Sequence, residues 1–268
     1  MKMLAIKEAS RVKEIIAIVN QKGGSGKTTT VQALGVGLKK RGYKILFIDM
    51  DGQANLTELM QTDQNKNGLL YLLTKKIGIK EIVQKTISGA DIIAGGEDSF
   101  EADIAVAGEG KEYRLKEALD EIKDEYDYIV IDTPPALSVL TVNALVASNS
   151  AIIASQAERL NLSGISRVEK IIETVRKYCN NGLIIRGILL TRFKERTRLN
   201  KETATVMESL AKKLNTIVYE TTIRESVVIS EAQMMQQSIF DYALKSNIAK
   251  DFEAFVEEFL RQGIEKGN

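Results

Sequence analysis

The segment Asn20-Gln21-Lys22-Gly23-Gly24-Ser25-Gly26-Lys27-Thr28-Thr29-Thr30 constrains this chain more than any other. It lies between an apolar, β-branched run at 15–19 and a stretch of helical apolar spacing at 28–41. A strand, a glycine-rich turn and a helix in that order make a phosphate-binding loop. The glycines let the backbone curl until several N–H groups converge on one point. The helix N-terminus adds partial positive charge at that point. Lys27 is spaced to reach the β and γ phosphates of a nucleotide, and the Thr28 hydroxyl is spaced to ligate Mg2+. Nucleotide contacts are therefore expected from Gly23, Gly24, Ser25, Gly26, Lys27, Thr28 and Thr29. The common pattern G-x-x-x-x-G-K-[ST] is not met, because position 21 is Gln. The loop instead reads K-G-G-S-G-K-T with a second lysine, Lys22, at its start, which is the deviant Walker A form.

The rest of the chain repeats the alternation. Strand-like runs fall at 15–19, 45–49, 91–94, 128–132, 151–155, 184–191 and 216–219. Helical patterns fall at 28–41, 113–125, 138–148, 163–178, 201–214 and 248–262. Several strand runs are apolar at consecutive positions, as in strands covered on both faces. The expectation is an α/β fold: a single P-loop domain with a mostly parallel twisted sheet and helices on both faces. Residues 1–13 read as an N-terminal arm and 14–268 as the domain.

Three aspartates end strand-like runs. Asp49 and Asp51 stand in Ile48-Asp49-Met50-Asp51-Gly52-Gln53-Ala54-Asn55-Leu56-Thr57, and Asp132 in Ile131-Asp132-Thr133-Pro134-Pro135. Ligands of open α/β sheets lie off the carboxyl ends of the strands, so all three are expected to face the phosphates. Asp132 fits a metal-holding carboxylate, Asp51 a group that orients attacking water, and Asp49 a support for the metal's water shell. Thr28, Asp49 and Asp132 are the expected metal set. The two prolines stiffen the loop at 133–141, a place to read the γ-phosphate.

Composition excludes several chemistries. There is no histidine, so imidazole catalysis and His-ligated metals are out, and the single cysteine, Cys179, forms no intrachain disulfide or thiolate cluster. The net charge of +1 gives no global pull toward nucleic acid or membrane. No apolar run approaches the roughly 18–20 residues of a membrane span, and the first residues lack a secretory apolar core. A cytoplasmic protein is expected.

With these residues in hand, the chain resembles the ParA/Soj partition ATPases of the deviant Walker A (ParA/MinD) superfamily. The resemblance runs from about 15 to 244. It is carried by NQKGGSGKTTT, IDMDGQANLT, YDYIVIDTPPALSVLTVNAL, SQAERLNLSGI, GILLTRF and IRESVVISEAQ. One departure is Asp51-Gly52-Gln53-Ala54-Asn55, where the family often has Asp-Pro-Gln-Gly-Asn. The resemblance is to the short, Soj-like type, so operator binding through a long N-terminal helix-turn-helix region is not expected. It implies ATP and Mg2+ as cofactors and a homodimer with two nucleotides sandwiched between its halves. It also implies Lys22 as a lysine that reaches the partner's phosphates, so that Lys22, Lys27 and Asp51 form the catalytic set. It further implies ATP-dependent binding to double-stranded DNA without sequence preference, nucleoid association, and a ParB-like centromere-binding partner that stimulates hydrolysis.

For DNA, the densest basic cluster is Arg192, Lys194, Arg196, Arg198 and Lys201, opposed only by Glu195, with Arg224, Lys245 and Lys250 as further candidates. The rival is a MinD-like membrane-positioning ATPase. The amphipathic stretch at 248–262 argues against it, since Asp251, Glu253, Glu257 and Glu258 dominate its polar face and no membrane contact is expected. A nitrogenase-reductase-like protein would need cluster cysteines. A small-molecule ligase is disfavoured by the ParA-type segments.

Overall fold

The computed structural model describes residues 12–62, 68–156, 162–194 and 198–265. Its centre is β1 (Glu14–Val19), buried at all six positions. β2 (Ile45–Asp49) and β5 (Tyr128–Asp132) are equally covered, which is why their sequences are continuous apolar runs. β3 (Val83–Lys85), β4 (Asp91–Ile93), β6 (Ser150–Gln156), β7 (Ile184–Phe193) and β8 (Val218–Arg224) complete one eight-stranded sheet in the order β3-β4-β2-β5-β1-β6-β7-β8. Every pairing is parallel except β3 with β4. From β1 the chain crosses to β2 on one side, and from β5 it returns past β1 to β6 on the other. The strand order reverses at β1, and a crevice opens there at the carboxyl ends.

The helices among the described residues are α1 (Lys27–Lys40), α2 (Asn55–Leu59), α3 (Leu69–Leu73), α4 (Ile79–Ile82), α5 (Ala102–Ala105), α6 (Arg114–Leu119), α7 (Val139–Ala147), α8 (Leu162–Tyr178), α9 (Arg198–Lys213), α10 (Val227–Met234), α11 (Ile239–Tyr242) and α12 (Asn247–Glu265). Alternate residues of each central strand feed two cores. Ile16, Ile18, Phe47 and Val130 pack with Leu34 and Leu38 of α1 and Phe252, Phe255 and Phe259 of α12. Ile15, Ala17, Ile48 and Ile131 pack on the other face with α3, α6, α7 and α8. The close approach of α1 to the sheet requires glycine: a Cβ on Gly35 would lie 2.2 Å from Cε1 of Phe47. One ionic group sits inside the sheet. Arg186 of β7 meets Glu14 of β1 at 2.6 Å and donates to the Phe259 carbonyl at 2.7 Å, while the Ser150 hydroxyl donates to the other Glu14 oxygen.

The α/β architecture matches expectation, with differences at its edges. β3 is short and polar, too weak a pattern to read as a strand. The last strand runs over Val218–Arg224 rather than 216–219, because Glu220, Thr221 and Thr222 of this edge strand leave its apolar signal broken. The stretch 113–125 is a short α6 flanked by tight turns at Lys111–Tyr113 and Lys123–Glu125. The apolar face of α12 is buried in the core, as expected, but Glu258, read as part of its acidic polar face, is buried too and accepts the Glu220 and Thr221 N–H groups of β8. No described helix is long and apolar enough to cross a membrane. Residues 1–11 of the expected arm lie outside the described residues.

Candidate nucleotide site

The glycine-rich loop leaves β1 and enters α1 through two left-handed residues, Gly24 (φ 70°) and Gly26 (φ 86°), a conformation that penalises any Cβ. Gly26 is the N-cap of α1, where no side chain occupies the helix end and the first turn holds no acid. The end of that helix therefore keeps its donors and its positive dipole for an anion. Three neighbours pin the loop from outside. Asn20 donates to the Ala154 carbonyl at 2.6 Å and accepts from the Lys22 N–H at 3.0 Å. Gln156 donates to the Gly24 carbonyl at 2.7 Å, and the Thr191 hydroxyl to the Ser25 carbonyl at 2.7 Å. The ends of β6 and β7 thus set the loop's shape. Gln156 and Thr191 lie within segments already noted in the sequence, yet their contacts depend on strand order, which one sequence does not state.

A cleft of about 710 Å³ opens over the loop. Residues 23–30, Asp51 and Pro135 line one part, and Thr191, Ile223, Ile229, Gln233 and Phe252 line another. The loop brings N–H groups and Lys27 to the cleft, and Ile223, Ile229 and Phe252 bring apolar side chains beside Arg192, Glu225, Ser226 and Ser230. Gln233 of α10 donates to the Thr29 hydroxyl at 3.1 Å and joins the two parts.

Asp132 and Asp51 lie close enough to act on Lys27, and Asp49 close enough to act on Asp132, but the surroundings of the three differ. Asp49 and Asp132 are register partners on β2 and β5, and both are fully buried. Asp49 accepts three hydrogen bonds: from the Thr57 N–H at 2.9 Å, the Thr57 hydroxyl at 2.8 Å and the Asp51 N–H at 3.1 Å. Asp132 has no hydrogen-bond partner on either oxygen. Burial raises the Asp132 carboxyl well above the usual carboxylate range, the charge of Asp49 adds to the rise, and Thr28 and Lys27 oppose it. Asp49 is also raised, by burial first, with the Thr57 and Asp51 donors pulling the other way. Lys27 is buried, and that burial lowers its pKa against the pull of Asp132 and Asp51. A buried carboxylate with two free oxygens beside a hydroxyl suits a hard divalent cation, which usually takes one or two carboxylates and completes its shell with phosphate and water. Asp132 and Thr28 fit that role. Asp49 does not present free oxygens in the same way, because its donors hold it to the loop that carries Asp51. Asp51 itself is half-buried at the cleft wall, and its carboxylate accepts from the Gln53 N–H at 3.1 Å.

Lys22 does not point away from its own loop. Its Nζ lies 3.4 Å from Oε1 of Gln156, and its carbonyl faces Lys27 Nζ at 3.5 Å. Of the expected cationic surface, Arg192 and Lys194 both pair with Glu225, and Arg224 makes a two-pronged pair with Asp251 of α12 at 2.6 and 2.7 Å. Arg196 lies outside the described residues. Arg198 and Lys201 lie on α9, and their side chains are outside what is described. Thr57 and Gly95 were not singled out by sequence. The Gly95 N–H donates to the Thr57 hydroxyl at 2.9 Å, and a Cβ there would strike the backbone oxygens of Asp49 and Asp51.

Comparison with known proteins agrees with this geometry. The family model described as an AAA domain matches residues 13–185. The sporulation initiation inhibitor protein Soj of Bacillus subtilis is 36% identical over 254 residues, 93% of this chain and 99% of Soj. The chromosome partitioning protein ParA of Myxococcus xanthus is 33% identical, over 95% of this chain and 90% of that protein. A solved structure titled cobyrinic acid a,c-diamide synthase from Mycobacterium smegmatis, with bound ATP analogue and magnesium, superposes with a TM-score of 0.82. It is 27% identical and covers 96% of this chain and 98% of that one. By its glycine-rich loop, its sheet order and these similarities, the chain belongs to the AAA domain family, as a P-loop ATPase of the ParA/Soj type.

Proposed function

We propose that this chain binds ATP with Mg2+ and hydrolyses it, and that the bound nucleotide drives a homodimer that partitions a DNA cargo. The observation that carries the reading is the pairing of a two-lysine phosphate loop with a buried Asp132 whose oxygens make no close hydrogen bond and a cleft-facing Asp51. In this reading residues 23–29 cradle the phosphates and Lys27 neutralises their charge. Thr28 and Asp132 would hold the metal, which would supply positive charge against the phosphates. Asp51 orients the attacking water. Asp49 holds the Asp51 loop through the three hydrogen bonds it accepts, beside the support of the metal's water shell expected of it. Lys22 releases Gln156 when a second copy closes, and places its charge on that copy's phosphate.

The bound ATP analogue and magnesium of the Mycobacterium smegmatis structure support the nucleotide and the metal. The extent of similarity to Soj and ParA supports partition over small-molecule synthesis. Duplex DNA without sequence preference, and a ParB-like protein, are the partners that follow from that family. Arg192, Lys194 and Arg224 are the described candidates for DNA contact. The exposed pairs of Arg192 and Lys194 with Glu225 are weak and salt-screened, so exchange of Glu225 for phosphate costs little, whereas the two-pronged pair of Arg224 with the largely buried Asp251 is harder to exchange. A MinD-like membrane role loses support because the apolar face of α12 is occupied by the core.

The test is retention of purified protein on random-sequence duplex and on anionic liposomes, at fixed salt, with ATP, ADP or neither. ATP-dependent, salt-sensitive retention on DNA alone is expected. Retention on liposomes alone would replace this reading with the membrane one, and retention on neither would remove DNA from the function.

A further inference from the structure

A segment with no sequence motif ties the two carboxylate loops together. Residues 95–105 follow β4 and touch both. At its start, Gly95 is pressed against the backbone of Asp49 and Asp51, where a Cβ would lie 2.9 Å from each carbonyl oxygen. In its middle, Phe100 lies over Gly52: a Cβ on Gly52 would sit 2.9 Å from each of Cδ1, Cε1 and Cζ of the ring. Three equal distances mean that the ring covers Gly52 with its body rather than an edge atom. At its end, Asp103 on α5 accepts the Val139 N–H at 2.7 Å. Val139 is the first residue of α7, the helix that follows Asp132 and the two prolines, and Ser138 caps the next N–H of the same turn. Ala102 and Val106 anchor the segment in the core.

Phe100 and Ile104 are nevertheless 61% and 85% exposed. A large ring left mostly in water gains little from burial. What it does gain is a fixed contact with the residue after Asp51. The Asp103 carboxylate likewise reaches out of its own short helix to end another. Together they make one mechanical link between the loop that carries Asp51 and the loop that leaves Asp132.

We propose that residues 95–105 are a clip in which Phe100 and Asp103 act as positioning residues, holding the Asp51 loop and the Asp132 loop in one mutual arrangement during hydrolysis. The inference rests on the proposed roles of Asp51 and Asp132. Neither Phe100 nor Asp103 touches the nucleotide cleft, so their loss alters the arrangement of the acids and spares the grip of the phosphate loop.

The experiment compares wild type with Phe100→Ala, Asp103→Ala and Asp103→Asn. Steady-state ATP hydrolysis gives kcat, competition against a fluorescent ATP analogue gives Kd, and hydrogen exchange follows the backbone at 51–55 and 133–141. Phe100→Ala and Asp103→Ala are expected to lower kcat about fivefold or more with Kd within twofold. Asp103→Asn, whose amide oxygen still accepts from Val139, is expected to restore kcat. Asp103→Ala is also expected to speed exchange at 51–55, a loop it does not touch. A purely local cap would speed exchange near 139 alone and leave kcat unchanged, and that result would overturn the clip. If wild type hydrolyses no ATP, the ATPase reading falls on its own, and the exchange at 51–55 decides the clip: spread sustains it and confinement refutes it.

Discussion

Thr57→Val tests whether Asp49 is held as described. Valine keeps the shape of the side chain and removes one hydroxyl. That hydroxyl makes two buried hydrogen bonds, donating to Asp49 at 2.8 Å and accepting from the Gly95 N–H at 2.9 Å. Losing a hydrogen bond to a carboxylate costs about 1.5–3 kcal/mol, and stranding a buried N–H costs about 1–3 kcal/mol more. The expected loss is therefore about 4 kcal/mol, a large share of the ~5–15 kcal/mol that holds a domain folded. The loss should grow with pH. Removing a donor raises the Asp49 pKa beyond what burial already does, so the variant carries its greatest penalty where wild-type Asp49 is ionised. Urea unfolding at pH 6 and pH 8.5 measures both effects, with an unchanged m-value to confirm the same transition. Thr57→Ser keeps the hydroxyl and loses one methyl, for about 1 kcal/mol. If Thr57→Val stays within about 1 kcal/mol of wild type, or if serine is as damaging as valine, the hydroxyl does not hold Asp49.

Lys27→Ala should abolish ATP binding in a titration with a fluorescent analogue, and normal affinity would sink the phosphate-loop assignment. Asp51→Ala should bind ATP and hydrolyse it at least tenfold more slowly, accumulating a nucleotide-bound dimer by size-exclusion chromatography; a fully active monomer would remove its role. Because the Asp132 carboxyl is raised in the folded chain, the native state binds more protons than the unfolded one between about pH 4 and that raised pKa. Nucleotide-free protein should thus lose thermal stability as pH rises through that window, and Asp132→Asn should flatten the slope; an unchanged slope would mean that the carboxyl is not raised. Arg186→Met strands Glu14 in the sheet and should cost about 3–5 kcal/mol, whereas Glu14→Gln with Arg186→Met should recover part of it in the same unfolding assay; a double variant no better than the single would place the cost elsewhere.

The phosphate loop was legible because its chemistry is contiguous: eleven adjacent residues hold the turn, the lysines and the helix start. The central strands were legible because parallel strands covered on both faces must be apolar throughout, and so were their terminal aspartates. What escaped was everything that depends on which strand lies beside which. Gln156 fastens the loop only because β6 is next to β1, and Gly95 presses on Asp49 only because β4 is next to β2. Phe100 and Asp103 sit in short elements with no period to read, and they gain meaning only from Gly52 and Val139, far along the chain in opposite directions.

The aspartates show the same limit more sharply. In sequence each is an acid at the end of an apolar run, and nothing separates a metal ligand from a structural acceptor. The separation is a matter of donors. Asp49 has three within reach and spends its oxygens on the chain. Asp132, one strand over and equally buried, makes no such bond among the described residues, and the Thr28 hydroxyl is the donor that comes near it. A buried carboxylate without close hydrogen bonds is costly unless it is protonated or something positive arrives. In this fold the groups that meet it are Lys27 and Thr28 on the phosphate loop itself. The unsatisfied acid is therefore the one placed to be completed by a cation travelling with the phosphates, and the satisfied acid is the one placed to hold the wall of the cleft while that happens.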